Sequence, residues 1–75
     1  MTDRTPRLTA RQVERVLSRN GFVLVSQKGS HRKWRHQARR RQVIVAEHGN
    51  RPLPIGTLKS IMIGADLPHD AWENP

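Results

Sequence analysis

The sequence predicts an α+β fold, a two-layer sandwich in which two helices cover one face of a three-stranded antiparallel sheet. Apolar residues recur at helical spacing near both ends of the chain, and short strand-like segments with brief connections lie between them. The chain has 75 residues, 35% of them hydrophobic, enough for one core between two layers. We therefore expect residues 1–75 to form a single domain with the order α-β-β-β-α.

The first helix is predicted over residues 9–20. Thr9 and Gln12 have the spacing of a capping box, in which each side chain accepts a hydrogen bond from a free backbone N–H at the helix start. Apolar residues follow at helical intervals, and Gly21 supplies the left-handed conformation that commonly ends a helix.

Three strands should follow as a meander. The first is predicted over residues 22–25 and ends at the turn formed by residues 28–30. The second runs over residues 31–36, a polar and basic turn covers residues 37–41, and residues 43–45 form the third strand.

The second strand has two different faces. Trp34 is its only large apolar residue, so we expect this indole in the core rather than as a platform for nucleic-acid bases, with Arg32 and His36 on the same face. The residues on the opposite face then point to solvent: His31, Lys33 and Arg35.

The second helix should follow a loop rich in proline and glycine at residues 48–56. An apolar stripe at helical spacing predicts this helix up to Ala65, although Gly64 weakens its last turn and Pro68 prevents it from continuing. The core of the domain should therefore span residues 9–67. The acidic tail, residues 68–75, could fold back on the basic body, contact a protein partner or be a disordered end, and we weight the last two about equally.

The charge balance indicates a polyanionic partner. The chain has 14 Lys and Arg residues against six Asp and Glu, a net charge of +8. Residues 66–75 contribute three acids and no base, so residues 1–65 have 14 basic and three acidic residues, a net charge of +11. The absence of cysteine excludes a disulfide scaffold, and no apolar run is long enough for a signal peptide or a membrane span, so we expect a cytoplasmic protein without membrane contact.

The segment around His31 is the best candidate for chemistry. Histidine titrates near neutral pH and can accept a proton from a ribose 2′-hydroxyl, which then attacks the adjacent phosphate without a metal or cofactor. DNA lacks that hydroxyl and would be a poor substrate. Gly29 and Ser30 set the turn and let a nucleic-acid backbone approach closely. Four cations are candidates to hold the phosphate: Lys28, Arg32, Lys33 and Arg35.

Other chemistries fit the sequence less well. No histidine pair has convincing metal-ligand spacing, and the acids of the body lie in separate elements, so we predict neither a metal site nor a carboxylate pair. His48 is the best candidate for an auxiliary acid or base, while His36 is expected to orient a loop. A non-catalytic module that binds double-stranded RNA remains the alternative, because it also requires a basic surface.

Several motifs together resemble the HicA family of toxin ribonucleases. They appear in order over about residues 9–67 and comprise, after the first helix, Asn20-Gly21-Phe22, Gln27 to His31, Trp34-Arg35-His36, His48-Gly49-Asn50 and Pro54 to Ile61. Family members commonly have a proline where this chain has Ala46, and many end soon after the second helix.

The resemblance implies a fold like that of double-stranded-RNA-binding domains. It also implies the toxin of a toxin–antitoxin system, an endoribonuclease that cleaves mRNA without metal and is neutralised by a HicB-type antitoxin. The histidine of the family's Gly-Ser-His motif is catalytic, and the corresponding residues here are Gly29, Ser30 and His31.

Overall fold

The computed structural model describes residues 6–47 and 49–75 and has the predicted order of elements. The elements are α1 (Ala10–Arg19), β1 (Val23–Lys28), β2 (His31–His36), β3 (Arg41–Ala46), α2 (Ile55–Ala65) and a short 3-10 helix (His69–Trp72). Both helices pack on the sheet face that carries Trp34, and the opposite face of the sheet is open. The α+β prediction is confirmed.

Helix α1 begins with the predicted capping box. The Gln12 backbone N–H donates to Thr9 Oγ1 at 3.2 Å, and the Thr9 N–H donates to Gln12 Oε1 at 2.9 Å. After the helix, Gly21 adopts φ +90°, and a Cβ at this position would lie 2.7 Å from His36 Nε2. Glycine is therefore required here both for its conformation and for the close approach of β2.

The sheet has the strand order β1-β2-β3, with both pairs antiparallel. Strands β1 and β3 are longer than predicted, because the whole of β2 offers them backbone partners despite its polar composition. The turn between β1 and β2 is thus reduced to Gly29-Ser30, and Gly29 has φ +56°, a conformation that favours glycine.

A β-bulge interrupts β1 between Leu24 and Ser26. Leu24 pairs with Trp34 and so lies on the helix-covered face, whereas Ser26 pairs with Lys33 on the open face. Without the extra residue, Ser26 and Lys28 would follow Leu24 onto the covered face, since side chains alternate along a strand. The bulge therefore turns the end of β1 towards the open face.

Helix α2 runs through Gly64 to Ala65. A Cβ at position 64 would lie 2.9 Å from Val43 Cγ1, so the missing side chain lets α2 approach β3 closely. Asp66 ends the helix at φ 51°, and its carboxylate accepts from Arg41 Nη2 at 3.2 Å and Arg39 Nη2 at 3.5 Å. These ion pairs join the end of α2 to the turn between β2 and β3.

The tail folds back on the body of the domain. Pro68 precedes the 3-10 helix, which contacts α1, and Trp72 is 1% exposed within the core. The guanidinium of Arg19 donates to the backbone carbonyl of Asn74. Of the three arrangements expected for the tail, the structure has the one folded back on the body, because burying a large indole stabilises it.

The core also extends beyond the predicted span at its N-terminal side. Leu8 and Leu53 are both buried, and the Leu53 N–H donates to the Leu8 carbonyl at 2.7 Å. The core thus contains residues on both sides of residues 9–67. Across residues 6–47 and 49–75, the helices are too short or too polar to cross a bilayer.

Candidate functional site

Nine residues on the open face of the sheet are paired in three cross-strand rows. The register places them as Lys28–His31–Ala46 next to the turn, Ser26–Lys33–Ile44 in the middle, and Val23–Arg35–Gln42 furthest from the turn. Three of the nine are cations and none is an acid. We call this surface the open face. Its charge gives it a positive potential that favours an anionic ligand.

His31 begins β2 and is exposed on the open face. It lies in a shallow depression of about 200 Å³ lined also by Ser26, Lys28, Lys33 and Ile44. Within the described part of the chain, its ring nitrogens have no hydrogen-bond or ion-pair partner. The imidazole is therefore free to exchange a proton with a ligand in the depression.

A backbone hydrogen bond from the residue that follows β3 holds the turn before His31 in place. The backbone carbonyl of Ser30 accepts a hydrogen bond from the Glu47 N–H at 2.9 Å. No heavy atom lies within 4 Å of the position that a Cβ of Gly29 would take, so the space beside this residue is open. Its backbone conformation is left-handed. The turn thus offers a fixed backbone and free space at the same end of the sheet as the imidazole.

Of the predicted phosphate-binding cations, Lys28 and Lys33 line the depression with His31. Lys28 is the direct cross-strand partner of His31, and the bulge in β1 is what brings its side chain to this face. Arg35 is on the same face, four residues along β2 from His31. The structure therefore groups three of the four predicted cations with the histidine.

Arg32 lies on the other face and is held there by Glu14 of α1. Its Nε donates to Glu14 Oε2 at 2.6 Å, and the Trp34 Nε1–H donates to the same oxygen at 2.7 Å. Because side chains alternate along β2, Arg32 and His31 lie on opposite faces, and the bond to Glu14 holds Arg32 on the covered face. The structure thus does not bring Arg32 to the phosphate site expected from the charge run.

The other histidines have different surroundings. His36 Nδ1 accepts a hydrogen bond from the Arg39 N–H at 3.2 Å, and its ring packs edge-on against Phe22 with ring centroids 5.3 Å apart. His36 thus orients the turn after β2, as expected. His48, the predicted auxiliary group, lies outside the described residues.

Two residues of the depression were not singled out from the sequence. Ser26 reaches it because of the bulge, for which the sequence has no clear signal. Ile44 is 49% exposed between the buried Val43 and Val45, and this alternation along β3 is a signal that does identify its face. Among the described residues, no three His, Asp or Glu side chains are grouped so that they could hold a metal ion.

A family model described as the HicA toxin of bacterial toxin–antitoxin systems matches residues 10–67. The chain belongs to the HicA toxin family. The matched span includes α1, the three strands and α2, and hence every residue of the open face. The chain is thus the toxin of a toxin–antitoxin system, and an antitoxin partner is implied. No curated protein matches the sequence.

Proposed function

We propose that this HicA toxin is a metal-independent endoribonuclease that cleaves mRNA with His31 as its catalytic residue and that a HicB-type antitoxin neutralises it. The observation that carries the proposal is the exposed imidazole of His31, without a partner among the described residues, in a depression shared with Lys28 and Lys33. This small surface therefore contains a proton acceptor, the imidazole, and two cations that can bind a phosphate.

The proposed reaction is an internal transfer within the RNA. His31 accepts the proton of a ribose 2′-hydroxyl, and the 2′-oxygen attacks the adjacent phosphorus. The bond between phosphorus and the 5′-oxygen of the next nucleotide breaks, leaving a 2′,3′-cyclic phosphate and a 5′-hydroxyl. The 5′-oxygen takes a proton from water or from a second protein group, so the reaction consumes no metal, cofactor or oxidant.

Lys28 and Lys33 would stabilise the charge that develops on the phosphate. Both flank His31 in the depression, Lys28 across the strand pair and Lys33 two residues along β2. Ammonium groups that are already in place interact with the growing negative charge without a costly rearrangement. Gly29 and Ser30 would let the RNA backbone approach the turn, and Arg35 would bind a phosphate further along.

A second proton-transfer group would determine how fast the enzyme is. Each well-positioned proton transfer contributes about 10²–10⁴-fold to a rate. His48 remains the proposed auxiliary group, since in the sequence it comes two residues after Ala46, the cross-strand partner of His31. With His31 alone, the proton for the leaving oxygen comes from solvent, and we expect a modest catalyst.

The decisive experiment incubates the purified full chain with a defined RNA, with and without EDTA, and identifies the ends of the fragments. We expect cleavage in EDTA, with cyclic phosphate and 5′-hydroxyl ends. His31→Gln should lower the rate by at least about 100-fold. His69→Gln is the matched control, because His69 is exposed on the tail and outside the depression, and it should cleave at the wild-type rate. A folded His31→Gln variant with full activity would refute the assignment.

A non-catalytic binder of double-stranded RNA is the second candidate. It is favoured by the exposed Arg11 and Arg15 on α1, which lie one turn apart on the solvent side of the helix layer. Both candidates predict binding that weakens with salt, so affinity for RNA does not separate them. A ribonuclease-free preparation that binds RNA and leaves it intact in the experiment above would favour the binder.

A further inference from the structure

We propose that the open face binds an extended single strand of RNA, which runs along β2 from His31 towards Arg35, and that the face does not accept an RNA duplex. The inference rests on the proposed function for the bond that is cut, but it concerns which form of RNA the surface recognises. Three features of the open face support it: the spacing of its cations, its exposed apolar side chains, and the geometry that the reaction needs.

The cations form a line along the sheet. Lys28 is in the first row with His31, Lys33 is in the second and Arg35 is in the third. Successive rows are two residues apart, which corresponds to about 6.6 Å along a strand. This regular spacing suits successive phosphates of one extended strand, with one nucleotide for each row.

Apolar side chains accompany this line of charge. Ile44 is 49% exposed in the middle row, directly across from Lys33, and Val23 is 55% exposed in the third row beside Arg35. Unpaired bases can pack against such side chains and remove their apolar surface from water, whereas bases in a duplex remain stacked on one another. A surface that alternates cations with exposed aliphatic groups therefore fits a single strand better than a helix.

The proposed cleavage reaction also requires an unpaired strand. The attacking 2′-oxygen, the phosphorus and the leaving 5′-oxygen must come into line, and catalysis depends on holding this arrangement. An A-form duplex keeps each ribose in a conformation far from it, while an unpaired nucleotide can rotate into it. The nine residues of the three rows include one histidine, His31, and no Asp or Glu, so the strand must adopt this geometry beside the first row.

The test measures binding separately from cleavage. The probes are a labelled 2′-O-methyl RNA, which has no free 2′-hydroxyl and cannot be cut by this route, and the same strand annealed to its complement. We expect the full chain to bind the single strand at least about tenfold more tightly than the duplex, in fluorescence anisotropy at fixed salt.

Two pairs of variants locate the binding surface. Ile44→Ser removes the central apolar contact and should weaken single-strand binding about fivefold, while Ile63→Ser, on the outer side of α2 and 76% exposed, should leave it unchanged. Arg35→Gln should weaken binding by a similar factor, while Arg7→Gln, an exposed residue next to the tail, should not. All four side chains are partly or fully exposed, and circular dichroism melting checks that each variant is folded.

Each result bears on the proposal. Single-strand preference together with losses in Ile44→Ser and Arg35→Gln supports it. Equal or tighter binding of the duplex, no binding of either probe, or equal losses in the two control variants would overturn it. If the single strand binds along the open face but unmodified RNA is never cut, the inference stands and the proposed function fails.

Discussion

Replacing Trp72 tests whether the tail belongs to the folded core. Trp72 is 1% exposed and lies in a 3-10 helix that contacts α1. An indole buries about 200 Å² of mostly apolar surface, which at about 25 cal/mol per Å² corresponds to roughly 5 kcal/mol. Measured Trp→Ala changes in cores cost about 3–5 kcal/mol, so we expect Trp72→Ala to lower the free energy of unfolding by that amount.

The loss is large relative to the whole stability of a chain of this length. Domains have about 0.05–0.15 kcal/mol per residue, or roughly 4–11 kcal/mol for 75 residues. Trp72→Ala should therefore leave a marginal fold, and Trp72→Phe, which keeps an aromatic ring in place, should lose distinctly less. Urea unfolding provides the measurement, with Trp34 as a fluorescent reporter that both variants retain.

The control is a substitution on the same tail. Glu73→Ala changes an exposed residue next to Trp72 and should alter stability by less than about 0.5 kcal/mol. A Trp72→Ala variant that loses under about 1 kcal/mol would show that the tail does not pack on α1 in solution. The reasoning on the extent of the core would then be refuted.

Three further predictions concern the sheet and its two faces. Glu14→Gln removes the charge of the partly exposed carboxylate that binds Arg32 and the Trp34 indole. The free energy of unfolding, measured in urea, should fall by about 1 kcal/mol; an unchanged midpoint would contradict this prediction. Gly64→Ala should lower the melting temperature, because the new methyl meets Val43, while Gly56→Ala in the open first turn of α2 should raise it; the reverse order would show that α2 does not press on β3. Lys33→Glu should reduce RNA cleavage and antitoxin affinity together, each by at least about tenfold, and a loss in only one assay would mean that the two ligands use different surfaces.

The parts of the fold that were predictable depend on short-range signals. The capping box needs only Thr9 and Gln12, and the tight turn needs only Gly29 beside a strand. The faces of β2 follow from Trp34, since a single large apolar residue in an otherwise polar strand fixes which side enters the core. In each case the deciding residues are within a few positions of one another.

The parts that sequence reasoning missed depend on distant contacts. Trp72 is surrounded by prolines and acids, a composition typical of a polar end, and its burial depends on the surface that α1 leaves uncovered. Leu8 and Leu53 are joined by a backbone hydrogen bond across 45 positions of the chain, which no local pattern indicates. These contacts become visible only when the helices are placed on the sheet.

The candidate site was predictable where it depends on residues close together in the sequence, and not where it depends on an irregularity of the backbone. His31, Lys33 and Arg35 share a face by simple alternation along β2. Lys28 joins them only through the bulge after Leu24, because strict alternation along β1 would have placed it on the covered face. The sequence therefore indicated the candidate residues, while a local irregularity of the backbone decides which of them share a face.

The distribution of acids explains why the open face remains strongly cationic. Two of the carboxylates pair with arginines elsewhere: Glu14 with Arg32 on the covered face, and Asp66 with the arginines at the turn after β2. If Glu14 stood on the open face, it would neutralise a cation there and repel a phosphate. Because it instead binds Arg32 and the Trp34 indole, the same carboxylate stabilises β2 against α1 and leaves the charge beside His31 uncompensated. We infer that the two faces of β2 divide stability and ligand binding between them, so that substitutions at Glu14 act mainly on unfolding and those at Lys33 mainly on RNA.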